Sequence, residues 1–317
     1  MWQDRQARLL KDEIEAILSS LANEANFYHL TKEVITKVVD RSTGKTRGDK
    51  PWPLVPLIVC ESILGRYKHV LPAAAALELF KAAAEVFDDT EDTDSSISIS
   101  AKYGAAVATN IATTLLILAE KAITRLEKKG VDSSLVFHVM DVINSLCITA
   151  CTGQHLDLFP SSEKISSEDR YLRIAGMRSA TQLECACHVG ALLANADREL
   201  TSTFALFGHN LGMASQIAND IHGITSGRDI NKRKLTLPVI YALSHANEEA
   251  RNQLELIYST TPTSLIDLSQ IRDLLFSTGS IYYASIKMEL FKQQALDVLS
   301  KIENTIGNVE RLQLFLE

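Results

Sequence analysis

Chain breakers are scarce in this sequence. Its 317 residues include 14 glycines and 7 prolines, which excludes a turn-rich all-β fold and favours long uninterrupted helices. No stretch alternates polar and apolar residues for long enough to build a sheet. Net positive charge is missing as well. Lysine and arginine number 32 against 39 acidic residues, a formal charge of −7, so the chain lacks the basic footprint of a nucleic-acid binder. Cysteines are few and odd in number: Cys60, Cys147, Cys151, Cys185 and Cys187. The N-terminal MWQDRQARLLKDEIEAIL has no apolar leader, so the expected location is the cytoplasm, with reduced thiols. Cys185, Cys187 and His188 have no second pair at zinc-site spacing and read as helix packing. Long apolar runs are also absent. The uncharged run Tyr103 to Ala119 falls short of the ~20 residues of a membrane-spanning helix. It reads as a helix buried at the centre of the protein, and no transmembrane segment is expected.

Apolar residues make up 46% of the chain, ample for one large core. Helical periodicity runs near 2–22, 24–40, 54–65, 72–92, 101–128, 132–156, 165–195, 198–224, 234–257 and 280–316. The loops at 42–53, 93–100, 158–167 and 259–264 are too short and too unbiased to be interdomain linkers. The expectation is a single all-α domain, a helix bundle over residues 1–317.

Two acidic places carry the chemistry. The helix AAAALELFKAAAEVFDDTEDTD ends with Asp88, Asp89, Glu91, Asp92 and Asp94 crowded together. Asp88 and Asp92 are four apart, so both project from one helical face. Like charges there repel, and acids at a helix C-terminus oppose its dipole. A divalent cation relieves both, and carboxylate oxygens suit Mg²⁺; a solvated acidic helix end is the plainer alternative. Further on, Gln216, Asn219 and Asp220 share a helix that runs into Gly223, Gly227 and the basic Lys232, Arg233 and Lys234. This is either a helix ending in glycine beside an exposed charged loop, or a weaker metal shelf beside cations that hold phosphate. Between the two places lie GQHLD, Gly153 to Asp157, and Arg178 in an otherwise apolar segment.

Together these residues resemble the trans-isoprenyl diphosphate synthase (polyprenyl synthetase) superfamily over most of the chain. Asp88-Asp89-Thr90-Glu91-Asp92 matches its DDxxD motif in full. Gly153, Gln154 and Asp157 match its GQxxD. Arg178-Ser179, followed by Gly190-Ala191, resembles its K-T-x₁₀-G-A helix, with arginine for lysine. Gln216, Asn219, Asp220 and Gly223 match its FQxxDDxxD in part. Asp229, Lys234, Thr236, Leu237 and Pro238 match its D-x₄-K-x-T-L-P, and Thr278-Gly279 its TG. The resemblance implies an isoprenoid-synthase helix bundle with two acidic motifs facing across a deep apolar cavity, and a homodimer. It implies three Mg²⁺ ions on Asp88, Asp89, Asp92, Asn219 and Asp220, holding an allylic prenyl diphosphate. Asp88, Asp92, Arg178 and Lys234 become the expected catalytic residues. Gln154 and Gln216 are expected at the diphosphate, and Ala83, Ala84 and Phe87 along the prenyl tail. In the family, bulk at positions four and five before the motif shortens that tail, so two alanines imply a substrate longer than geranyl diphosphate.

The departures narrow the function. Chain-elongating synthases hold isopentenyl diphosphate with a GKR…RP motif, where this chain has GDKPWPLVPL with Pro51 and Trp52. They follow DDxxD with two arginines, where this chain has Ile97 and Ser98. The pattern is similar to two offshoots of the family. One is the prenyltransferases that modify a tryptophan of pheromone peptides. The other is the synthase-like (class I) terpene cyclases, whose (N/D)Dxx(S/T/G)xxxE motif finds Asn219, Asp220 and Gly223 but Gly227 in place of its glutamate. The first implies Mg²⁺-dependent transfer to an acceptor other than isopentenyl diphosphate, a peptide tryptophan or a small molecule. The second implies cyclisation of farnesyl, geranylgeranyl or geranylfarnesyl diphosphate. An aromatic content of 6% gives little material for a cyclase's cation-stabilising wall. An acid at Gly223 would lie one turn from Asn219 and is expected to restore a family metal ligand.

Overall fold

The computed structural model describes residues 2–42, 50–92, 97–159, 167–259 and 268–316, and among these every regular element is a helix. In chain order they are α1 (Trp2–Leu18), α2 (Ala25–Ser42), α3 (Val55–Leu64), α4 (Leu71–Asp92), α5 (Ile99–Tyr103), α6 (Ala105–Thr124), α7 (Ser133–Leu158), α8 (Glu168–Ala175), α9 (Thr181–Leu193), α10 (Arg198–Thr225), α11 (Arg228–Asn231), α12 (Leu237–His245), α13 (Glu248–Ser259), α14 (Leu268–Ser277), α15 (Ser280–Ile306) and α16 (Glu310–Gln313). The starts follow their capping chemistry. Asp132, Ser167 and Asp197 accept from the backbone N–H groups of Ser134, Arg170 and Leu200 at 2.9, 3.2 and 2.8 Å, satisfying donors that a first turn leaves free.

Where a long helical pattern divides, the cause is local. The pattern at 101–128 breaks at Gly104 (φ 85°) into α5 and α6, and that at 280–316 stops at Gly307 (φ 75°), conformations that favour glycine. Among the described residues within 165–195 none takes a positive φ until Asn195 at its end (φ 56°). Instead α8 passes through one π-helical turn, Gly176–Ala180, directly into α9.

One apolar cluster reaches from Leu10 to Leu316, with Phe204, Phe207 and Phe315 among its largest fully buried side chains. Removing such a phenylalanine typically costs about 3–5 kcal/mol. Small residues let the helices come close. Ala73, Ala75, Ala76, Ala82 and Ala83 of α4 and Ala108, Ala112, Ala119 and Ala122 of α6 are all fully buried, and these two helices pack on each other. On α10, a Cβ at Gly208 would sit 2.3 Å from the Leu183 carbonyl oxygen, and one at Gly212 2.6 Å from Ala180 Cα. Backbone therefore meets backbone where α10 crosses α9 and the π turn.

The run Tyr103–Ala119 is buried on one face only. Ala108, Ile111, Ala112 and Leu115 turn inward, while Ala106, Thr109, Asn110 and Thr113 are exposed. Small uncharged side chains on the outer face hid this amphipathicity in the sequence. By length and composition alone α6, extended to Lys129, and α7 are apolar enough to cross a membrane. Ile117, Phe137 and Ile148 on them are 63–68% exposed.

Candidate active site

The C-terminal end of α4 presents Asp88, Asp89 and Glu91, all at least partly exposed. Two other segments close on it. Gly153 of α7 lies so near the π turn that a Cβ there would be 2.9 Å from the Arg178 backbone nitrogen and the Met177 side chain. That close approach explains the glycine of GQxxD. It sets the next residues of α7 against the first acidic motif. The Gln154 amide donates to Asp88 Oδ1 at 3.1 Å and to Glu91 Oε2 at 2.8 Å. Arg178, projecting from the π turn, donates through Nη2 to Asp88 and through Nη1 to Asp157. One guanidinium thus joins carboxylates from α4 and α7. π turns are frequent at functional sites, and here the turn carries the arginine.

The second acidic place is built differently. Asp220 of α10 is 4% exposed. Its Oδ2 accepts from the Tyr171 hydroxyl at 2.6 Å and from the Leu237 backbone N–H at 3.2 Å, and its Oδ1 accepts from Gln216 at 2.8 Å. Three of about four acceptor directions are taken. Burial pushes the Asp220 carboxyl up despite these hydrogen bonds. Burial, then the neighbouring carboxylate, raises the Tyr171 phenol well above its ordinary value, and Asp157 is near enough to add to this. One polar chain therefore runs from Glu91 through Gln154, Asp88 and Arg178 to Asp157, and a second joins Tyr171, Asp220 and Gln216.

The other expected residues are placed as follows. Asn219 is exposed, and its carbonyl lies 3.5 Å from Arg228 Nη2. Arg228 also pairs with the buried Asp229 at 2.8 Å. Lys234 is half-buried in the turn after α11, its backbone N–H on the Asp229 carbonyl at 3.0 Å. Phe87 is half-buried against the core and Ala83 is fully buried. Ala84 is exposed, because consecutive helical residues point about 100° apart. The side chain of Asp92, and Asp94 altogether, lie outside the described residues.

Two further placements bear on the expectations. Gln216 and Asp220 are turned to each other rather than outward, because burial of the carboxylate calls in every nearby donor. Gly223 cannot simply take an acid, since a Cβ there would fall 1.7 Å from Asp229 Oδ2; the glycine makes room for a buried carboxylate. A cavity of about 230 Å³ lies between Trp2, Gln3, Ile58, Arg311 and Leu314, none of them in either polar chain.

The place expected to lack an isopentenyl diphosphate site is filled by the protein. Lys50 donates to the Phe315 carbonyl at 2.6 Å, and the Trp52 and Phe315 rings pack with centroids 5.2 Å apart. Ile97 is 72% exposed and Ser98 caps α5 through Ala101 N–H at 3.1 Å.

Among the described residues no three histidine, cysteine or acidic side chains converge as a metal cage. Mg²⁺ does not require one, because it commonly takes one or two carboxylates with substrate phosphates and water. Asp88 and Asp89 fit that donor set; Asp220, buried and largely saturated, fits it poorly. Sequence reasoning missed Tyr171 and Arg228. The signal for Tyr171 was its spacing, seven residues or two helical turns before Arg178.

A family model for polyprenyl synthetase matches residues 31–275. The chain is 27% identical over 245 residues to the tryptophan prenyltransferase ComQ of Bacillus spizizenii, spanning 76% of this chain and 84% of that protein. It is 28% identical over 226 residues to a geranylgeranyl diphosphate synthase of Mycobacterium tuberculosis, spanning 67% of this chain and 63% of that protein. The fold superposes on the crystal structure of geranylgeranyl pyrophosphate synthetase from Pyrococcus horikoshii with a TM-score of 0.83 at 22% identity, covering 99% of this chain and 94% of that one.

Proposed function

The chain belongs to the polyprenyl synthetase family of prenyl-transferring enzymes, and from that premise we propose that it ionises an allylic prenyl diphosphate and passes the prenyl group to an acceptor other than isopentenyl diphosphate. One observation carries this reading: the segment where elongating relatives would hold the second diphosphate has no arginine at 51, 52, 97 or 98. Its Lys50 and Trp52 are committed to the C-terminal Phe315. The resemblance to ComQ supports a tryptophan as the acceptor.

In the proposed reaction the allylic C–O bond breaks and its electron pair leaves with the diphosphate. Arg178 and Lys234 hold non-bridging oxygens, with the Gln154 amide beside them. Such fixed donors matter most where charge develops on the leaving group. Mg²⁺, which the family generally uses, would sit on Asp88, Asp89 and Asp92 with Asn219 opposite, and neutralise that charge when bound. Asp220 is then a positioning residue, holding Gln216, Tyr171 and the start of α12. The prenyl tail runs along α4 past Phe87. We also read the chain as one cytoplasmic domain that pairs into a homodimer through the exposed apolar residues of α6 and α7, Ile117, Phe137 and Ile148, since exposed apolar surface of this kind marks protein interfaces.

Cyclisation is disfavoured by Gly227. It stands where a cyclase's glutamate is required and has φ 79°, a conformation strained for any other residue. The experiment is incubation with geranyl, farnesyl, geranylgeranyl or geranylfarnesyl diphosphate and Mg²⁺ without acceptor. Slow diphosphate release with a linear prenyl alcohol is expected, and ringed hydrocarbons or alcohols would refute transfer in favour of cyclisation.

A further inference from the structure

Arg178 occupies one oxygen of the carboxylate that a metal ion would use. Its Nη2 lies on Asp88 Oδ1 and its Nη1 on Asp157. Arg178 and Asp88 are 28% and 37% exposed, so water and ions reach the pair. Gln154 adds a second donor to the same Asp88 oxygen. An ion approaching Asp88 Oδ1 must displace a guanidinium that is hydrogen-bonded at both ends, and one bound to any other oxygen of this shelf must sit beside that positive charge.

We propose that Arg178 is a gate on the first acidic shelf, which shuts out bare Mg²⁺ and yields only to Mg²⁺ carried by a diphosphate. The inference rests on the diphosphate reading above. A bare dication offers the displaced guanidinium nothing to bind. A metal diphosphate brings anionic oxygens, and the planar fork that leaves Asp88 pairs with them. Metal and diphosphate therefore bind with positive coupling, and the shelf stays charge-balanced before and after the exchange. This gives a physical reason for arginine where the resembling family has lysine. A lysine is a single point charge on a flexible stem and does not fork between two carboxylates from different helices.

The exchange reverses the usual sign of a mutation. Arg178→Gln should bind Mg²⁺ alone more tightly than the wild type, by up to about fivefold, the typical ceiling for a partly exposed ion pair. With inorganic pyrophosphate present the order should invert, with Arg178→Gln the weaker binder. Arg178→Lys should fall between the two. Titration calorimetry with Mg²⁺, and with Mn²⁺ followed by electron paramagnetic resonance, reads both conditions, and circular dichroism confirms that each variant is folded. If neither variant gains affinity for the metal alone, while the wild type binds Mg²⁺ with pyrophosphate, the gate is refuted and the diphosphate reading survives. If the wild type binds Mg²⁺ under neither condition, the diphosphate reading fails and the gate with it.

Discussion

The two acidic places of this protein are both built from aspartates at helix ends, yet they have opposite environments. At the end of α4, Asp88 is partly exposed and held by a guanidinium and an amide. On α10, Asp220 is buried and held by three neutral donors. The first arrangement is an ion pair that can be exchanged for another cation. The second is a knot of hydrogen bonds that an ion could enter only by breaking it. Environment rather than residue type separates a reactive carboxylate from a structural one.

The largest expected effect falls on the exchangeable side. Asp88→Ala should lower diphosphate release from any allylic diphosphate by about 10³-fold or more, as loss of a metal-holding or charge-stabilising group does. Helical content and unfolding midpoint should be preserved. Full activity in this variant would erase the contrast.

Gly223→Asp tests the opposite side. A family ligand restored there should tighten metal binding, but the Cβ would land on the buried carboxylate of Asp229 and add a like charge. The account therefore predicts a destabilisation of about 2–4 kcal/mol in denaturant unfolding, with no gain in Mg²⁺ affinity. A stable variant with tighter metal binding would show that the second place is an open shelf after all.

Glu78 sharpens the comparison, because it is an acid buried without Asp220's donors. It is 5% exposed, its Oε2 has no hydrogen-bond partner, and burial pushes its carboxyl up to about 7. Between about pH 4.5 and 7 the folded chain keeps a proton that the unfolded chain has released. Stability contributed by this group is thus present at low pH and lost as pH rises. Glu78→Gln should match the wild type near pH 4 and exceed it by about 1–3 kcal/mol at pH 8, read from urea unfolding at the two pH values.

The smallest effect is expected from Tyr171→Phe. It removes one of three donors from Asp220 and should cost about 1–2 kcal/mol of stability, with less than a tenfold loss of diphosphate release. A loss as large as that of Asp88→Ala would make Tyr171 part of the chemistry.

Much of this was legible in the sequence, for reasons that are mainly local. Sparse glycine and proline and the apolar period determine where helices lie. DDxxD, GQxxD and Arg178 do meet, because short motifs on helices carry their own geometry. What was hidden depends on contacts between distant segments. The saturation of Asp220 needs Tyr171 and Leu237 brought in from two other helices. The role of Gly223 follows from Asp229, a buried side chain six residues on. The exposed side of Ala84 follows from which face of α4 meets α6. The π turn leaves no compositional mark, since its residues Gly176 to Ala180 suit an ordinary helix almost as well.

The central claim is that the prenyl group goes to an acceptor other than isopentenyl diphosphate. The most direct test offers both acceptors at once: farnesyl or geranylgeranyl diphosphate with Mg²⁺, isopentenyl diphosphate and a tryptophan-containing peptide, followed by mass spectrometry of both products. The account predicts a peptide heavier by one prenyl unit and no lengthened prenyl diphosphate. Efficient formation of a longer prenyl diphosphate, with the peptide unchanged, would contradict it.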